Sequence, residues 1–196
     1  SKGRAIQNII NLPKDDKVMA YINTKDLKDE EYINSHYIMM CTKKGVVKKT
    51  SLEAYSRPRT NGINAITIRE GDQLLEAKMT TGNSHIMMAV KSGKAIHFEE
   101  EKVRSMGRTA AGVRGIRLAD ENDEVVGMIC IEDQESTVLV VAENGYGKRS
   151  AVEDYRITNR GGKGVKTINV TEKTGKLIAL KNVTDQEDLM VINKSG

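Results

Sequence analysis

The chain has 196 residues with 31 Lys and Arg against 27 Asp and Glu, a net charge of +4 that by itself neither requires nor excludes a polyanionic partner. Hydrophobic residues make up 38% and aromatics 4%, with one Phe and no Trp, so any core is built from Val, Ile, Leu and Met, which suits several thin layers better than one thick core. No apolar run reaches the roughly 18 residues a membrane span needs, and 17 glycines against two prolines point to many tight turns in a folded chain rather than a disordered one.

From the N-terminus, the chain opens inside a repeat. Residues 1–14 are basic and carry no acid, and KVMAYI (17–22) reads as a strand. The polar stretch KDLKDEEYINS (25–35) is the one place where the pattern allows a short helix. Then four apolar segments recur, YIMMCTKKG (37–45), HIMMAVKSG (85–93), TVLVVAENG (137–145) and DLMVINKSG (188–196). Their closing glycines, Gly45, Gly93, Gly145 and Gly196, are 48, 52 and 51 residues apart. Each complete copy leads into a polar-alternating stretch, VVKKTSL from Val46, KAIHFEE from Lys94 and YGKRSAV from Tyr146, so each pair reads as a β-hairpin. A small and basic segment holding Gly62, Gly112 or Gly164 precedes a third strand, INAITI (63–68), VRGIRL (113–118) or VKTINV (165–170). A polar turn then leads to a fourth, QLLEAKM (73–79), EVVGMIC (124–130) or KLIALKN (176–182).

Four short strands per fifty residues predict an all-β, propeller-like array of four-stranded blades, about four in this chain, in one domain over 1–196. The repeats run approximately 1–36 (incomplete), 37–84, 85–136, 137–187 and 188–196, the last being the first strand of a further unit. The staggered ends fit either a composite blade that closes a ring or neighbouring blades outside this chain.

Charge follows position in the repeat. The segments between second and third strands (54–69, 102–119, 155–171, with 1–14 as their counterpart) hold fifteen Lys and Arg and no Asp or Glu, where the average acid frequency would place about nine. The acids sit elsewhere, as in DENDE (120–124) and EDQE (132–135). One such loop would be an ordinary solvated loop balanced by acids nearby in space. Four in register predict a positive track along one edge of the array, suited to a curved polyanion. The loops hold almost no aromatics, only Tyr55 and Tyr155 at their margins, which favours duplex backbone over base stacking on a single strand. The candidate DNA-binding residues are Arg57, Arg59, Arg104, Arg108, Arg114, Arg160 and Lys163, with Lys48, Lys49, Lys148 and Arg149 from the second strands.

The strings RSMG (104–107), GVRGIRL (112–118), NGYGKR (144–149) and NRGGKGV (159–165) resemble the C-terminal domain of the DNA gyrase A subunit, and the resemblance runs through the chain in repeat order. It implies a β-pinwheel, in which strands pass between adjacent blades, and sequence-nonspecific wrapping of duplex DNA in support of negative supercoiling. It implies partners in the rest of the gyrase A subunit, together with the gyrase B subunit, in an A2B2 holoenzyme of the bacterial cytoplasm and nucleoid. ATP and magnesium would be used by other parts of that enzyme, leaving this chain without cofactor or membrane contact. The family's QRRGGKG box has only a degenerate match here, Arg160 to Gly164, and the defining copy would lie upstream of Ser1. The topoisomerase IV A subunit has a related C-terminal domain, and a protein-binding propeller is the rival of another class.

No catalytic set is expected. His36, His85 and His97 lack metal-ligand spacing, Cys41 and Cys130 read as buried reduced thiols, and the Met pairs 39–40 and 87–88 as core. The cleavage tyrosine of the family belongs to another domain, and Tyr55, Tyr146 and Tyr155 are expected to pack at blade edges.

Overall fold

The computed structural model describes residues 4–5, 21–22, 29–56, 67–132 and 136–183. A two-stranded pair, β1 (Arg4–Ala5) and β2 (Tyr21–Ile22), precedes helix α1 (Glu30–Ser35). The helix forms where the polar connector allows it, because the Asp29 side chain caps it by accepting from Glu31 N at 3.1 Å and Tyr32 N at 3.3 Å, and Glu30 and Glu31 complement the dipole in its first turn.

Three sheets follow. The first contains β3 (Tyr37–Thr42), β4 (Val46–Ser51) and β5 (Leu74–Thr80). The second contains β6 (His85–Val90), β7 (Lys94–Glu99) and β9 (Val125–Ile131), with β8 (Val113–Arg114) lying between β7 and β9 in sequence but not in this sheet. The third contains β10 (Thr137–Ala142), β11 (Gly147–Ala151) and β13 (Leu177–Val183), while β12 (Val165–Lys166) again pairs elsewhere. The orders are β5-β3-β4-β8, β12-β7-β6-β9 and β11-β10-β13. The second and third complete repeats therefore give their third strands to the sheets before them, with Val113 opposite Val47 and Arg114 opposite Val46, then Val165 opposite Ala95 and Lys166 opposite Lys94, while most of the strand expected at 63–68 lies outside the described residues. This is the strand exchange of a pinwheel.

The donated strands are shorter than the six residues expected, and the cause is geometric. Antiparallel pairing at Val46 has reached the start of β4, so the chain beyond Arg114 meets the hairpin turn instead of a strand. There the Gly45 carbonyl accepts from both Gly115 N (2.7 Å) and Ile116 N (3.3 Å). The next repeat does the same, with Thr167 N and Ile168 N on the Gly93 carbonyl at 2.8 and 3.3 Å.

The fourth strands of successive sheets pack on one another, β5 on β9 and β9 on β13, which puts them at the inner edge of the array. The donated strands are at the opposite, outer edge. Two apolar layers lie between the sheets. Met39, Cys41 and Val47 meet Ile86, Met88, Val90 and Ile116 in one layer. Met87 and Ala89 meet Val138, Val140 and Leu180 in the other. The middle sheet is thus covered on both faces, so its first strand, HIMMAV, is apolar throughout and shows no alternation. The paired methionines are core, as expected. Cys41 is buried, whereas Cys130 is only partly so.

Two polar groups stitch the sheets. Glu100, fully buried, accepts from Thr80 Oγ1 (2.7 Å), Ser84 N (3.0 Å) and Gly82 N (3.2 Å) and forms an ion pair with Lys49 at 3.6 Å, joining the first two sheets. His97, also buried, lies on β7 with Nδ1 at 2.8 Å from the Tyr155 carbonyl, a contact only an N–H can make. Nε2 is thereby left to accept from His85 Nδ1–H, 2.8 Å away.

Glycine is required where the donated strand begins. Gly112 has φ +94°, and a Cβ there would lie 2.5 Å from the Val47 carbonyl oxygen; Gly164, with φ +78°, would meet the Ala95 oxygen at 2.4 Å. Gly112→Ala is expected to lose about 1–2 kcal/mol to the left-handed backbone and a further amount to displacement of β8 from β4. Gly71→Ala is the control, since Gly71 has φ +82° but nothing within 4 Å of its Cβ. Equal losses in urea unfolding would mean that the close approach contributes nothing.

A second expectation concerns acid. Burial, followed by the effect of His85, pushes the His97 imidazole below its ordinary value near 6.5. The unfolded chain then binds the proton more readily, so stability is complete above pH 6.5 and falls as pH drops from there toward the lowered folded value. His97→Asn keeps an N–H for Tyr155 and removes the titration. Urea midpoints at about pH 7.5 and about pH 5 should converge in this variant, and an unchanged drop would assign the acid sensitivity to other groups.

Candidate nucleic-acid interface

Short 3-10 helices end the second strands at Leu52–Tyr55, Glu100–Lys102 and Val152–Asp154 and turn the chain outward into the basic connectors. The second and third connectors then run beside the preceding sheet. Met106 N donates to the Lys49 carbonyl and Thr158 N to the His97 carbonyl, both at 2.8 Å. Tyr55 and Tyr155 are buried anchors, the latter bonded through its hydroxyl to Thr167 Oγ1, and burial pushes the Tyr55 phenol up to about 12. Tyr146, expected to pack, is instead 41% exposed with Lys173 Nζ 5.8 Å from its ring centre.

Successive connectors also touch one another. Gly161 N donates to the Gly115 carbonyl at 2.7 Å and Arg117 N to the Gly162 carbonyl at 2.8 Å. Thr67 N donates to the Ala110 carbonyl at 3.4 Å, so the first connector joins the second in the same way. The basic segments are thus contiguous along the outer edge.

On that edge Arg104, Arg114 and Lys163 are exposed and Arg108 and Arg160 half-buried. Arg57 and Arg59 lie outside the described residues. Lys48 and Lys49 are corrections to the expected set. Lys48 is 0% exposed and Lys49 7%. The donated strand and the connector cover β4, and Lys48 Nζ donates to the Arg108 carbonyl while Lys49 pairs with Glu100 and lies 4.6 Å from the Tyr37 ring centre. Burial, then the charge of Arg108, pushes the Lys48 ammonium down to about 8. The equivalent residue one repeat later is Ile96, buried and apolar. Lys148 and Arg149, at the same positions on β11, are exposed, and β11 pairs with no donated strand among the described residues. Lys148 Nζ donates to the Thr167 carbonyl at 3.3 Å and Arg149 Nε to Thr137 Oγ1 at 2.7 Å.

Among the described residues five further exposed cations share the connectors, Arg69, Lys102, Arg117, Arg156 and Lys166. Repeat register is the signal that identifies two of them, because Arg156 and Lys166 occupy the positions of Arg104 and Arg114. Among the described residues the ion pairs are Lys49–Glu100, Lys78–Glu76 and Lys91–Glu124, and none uses a connector cation. Key acids are committed elsewhere. Asp72 accepts from Lys44 N (2.9 Å) and Gln73 N (2.8 Å), and buried Asp123 from Ser92 N, Ala119 N and Glu124 N, each at 3.0 Å. They fix the hairpin turns through backbone N–H groups. Among the described residues no group of three or more His, Cys, Asp and Glu side chains converges to hold a metal.

Residues 36–80, 84–132 and 136–184 match the family model described as DNA gyrase C-terminal domain, beta-propeller. Over its full length the chain is 45% identical to a DNA gyrase A subunit from Staphylococcus epidermidis and 43% identical to one from Staphylococcus aureus, and it spans 22% of the length of each. Among solved structures it is similar to a C-terminal domain of DNA topoisomerase IV, with a TM-score of 0.76 and 26% identity over 92% of this chain and 55% of that one. A DNA gyrase A C-terminal domain shares the fold at a TM-score of 0.71 and 22% identity, over 94% of this chain and 60% of that one.

The burial of the two lysines can be checked without any ligand. Brief acylation of the folded protein, read by mass spectrometry, should modify Lys163 and Lys166 and spare Lys48 and Lys49 until denaturant is added. Labelling of Lys48 at the rate of Lys163 would return it to the surface.

Proposed function

The chain belongs to the DNA gyrase C-terminal domain family, and from that premise we propose that it binds duplex DNA without reading its sequence and bends it around the outer edge of the array. The observation that carries this reading is the row of connector cations with no carboxylate partner among the described residues. Loops whose charges were balanced by direct pairing would show such ion pairs.

The phosphate contacts are assigned to Arg104, Arg108, Arg114, Lys163 and the newly identified Arg117, Arg156 and Lys166, with Lys148 and Arg149 extending the track along β11. Each phosphate neutralised releases condensed counterions, so affinity falls with salt at a slope of about 0.9 per contact. Smooth bending by 40–90° costs on the order of 1–6 kcal/mol, which several charge-assisted contacts spread over adjacent connectors can offset. A convex basic edge favours the bent duplex because only a curved backbone reaches cations on successive repeats together. In the longer protein this curvature would support negative supercoiling by DNA gyrase. The remainder of the A subunit, together with the B subunit, would supply strand cleavage and ATP use in an A2B2 assembly of the bacterial cytoplasm. This chain itself would need no cofactor for wrapping.

The likeness to a topoisomerase IV C-terminal domain favours a second reading, the same DNA-binding role in that enzyme. The 43–45% identity to subunits named DNA gyrase A weighs toward gyrase.

Binding to a linear duplex of about a hundred base pairs across a salt series tests the role. The wild type is expected to bind with a steep salt slope. Replacing Arg104, Arg114, Lys163 and Lys166 by Ala should weaken binding and lower the slope by about 3–4. Absence of binding at low salt would leave a protein-binding propeller as the better account.

A further inference from the structure

We infer that Arg160 is a positioning residue, which locks the connector of one repeat onto the connector of the repeat before it and so fixes the curvature of the basic edge. This rests on the DNA-bending reading above for its consequence, but the lock itself is a property of the free protein.

Arg160 heads the loop Arg160-Gly161-Gly162-Lys163-Gly164 and looks from sequence like one more phosphate contact. Its guanidinium is already engaged. Nε donates to the Lys102 carbonyl at 3.0 Å and a terminal nitrogen donates to the Arg114 carbonyl at 3.2 Å. Those two carbonyls stand at opposite ends of the preceding connector, one in the 3-10 helix that opens it and one in the donated strand that closes it. The planar fork of a guanidinium spans two such acceptors in one fixed orientation, whereas a lysine ammonium is a compact point charge on a flexible stem. Either side of this fork, the backbone adds the Gly161 N to Gly115 and Arg117 N to Gly162 bonds. Residues 160–162 are therefore tied to the preceding connector by four hydrogen bonds.

Two effects follow from this arrangement. Exposed Arg104, Arg114 and Arg117 on one connector are held in a fixed relation to Lys163 and Lys166 on the next, which is the relation a bent duplex must match. The guanidinium also satisfies two carbonyl oxygens that would otherwise present negative dipole ends to an approaching phosphate. A preformed track spends less of its binding energy on ordering the loops.

The test compares wild type, Arg160→Lys and Arg160→Gln. In hydrogen exchange without DNA, both variants should exchange the Gly161 and Arg117 amides about ten-fold faster or more, while amides of β9 keep their protection and report an intact fold. On a duplex labelled at both ends, Arg160→Lys should reduce end-to-end energy transfer while retaining the wild-type salt slope, because the charge is kept and the fork is lost. Arg160→Gln should lose bending to the same extent. The inference is overturned if the two amides stay protected in both variants. It is also overturned if Arg160→Lys bends DNA like wild type while Arg160→Gln loses about 0.9 of the salt slope, the behaviour of a phosphate contact. Failure of every protein to bind duplex would sink the DNA-bending reading alone, since the exchange result decides the lock without DNA.

Discussion

The structure depends on one exchange, seen twice among the described residues, the seating of a repeat's third strand against the second strand of the repeat before it. A second strand such as β4 would otherwise present a row of unpaired N–H and C=O groups at the sheet edge. Val113 and Arg114 cover that edge, and the chain beyond them hands two N–H groups to the carbonyl of the turn glycine Gly45. The same contact recurs at Gly93 with Thr167 and Ile168. Because the donated strand comes from the neighbour, sheet edge and sheet-to-sheet junction are satisfied by the same few residues. A blade of three strands is completed only by the presence of the next.

This exchange also sets where charge can go. To reach the preceding sheet, the chain between second and third strands must pass over the outer edge, and that passage is where the acid-free segments fall. The inner edge is taken by β5, β9 and β13, with β9 packed against both of the others. The acids have a physical task at other positions, with Asp72 and Asp123 holding hairpin turns through backbone N–H groups. Segregation of sign thus has a structural half, in the acids, and a functional half, in the connector cations without carboxylate partners among the described residues.

The second strand shows how one repeat position serves different ends. Lys49, His97 and Arg149 are equivalent, and each reaches toward the start of its own first strand, to the Tyr37 ring, to His85 and to Thr137. Covered by a neighbouring connector, the lysine needs Glu100 and the histidine stays neutral. On β11, which carries no donated strand among the described residues, the arginine is exposed. Neighbouring repeats decide whether a cation there is buried or exposed.

The sequence by itself determined the repeat, its four-strand grammar, the hairpin turns at Gly45, Gly93 and Gly145, the short helix before Tyr37 and the acid-free connectors, because periodicity, turn chemistry and charge are local and recur in register. The family resemblance added the exchange of strands. Tertiary structure alone decided which sheet receives which strand residue by residue, why the third strand stops after two pairs, and which cations face solvent. Lys48 and Arg114 look alike in sequence, each a cation in a polar stretch; one is roofed by the following repeat and the other stands on its outer surface. Burial of a side chain on a strand depends on what the rest of the chain lays over it, and at fifty-residue separation no local pattern encodes that.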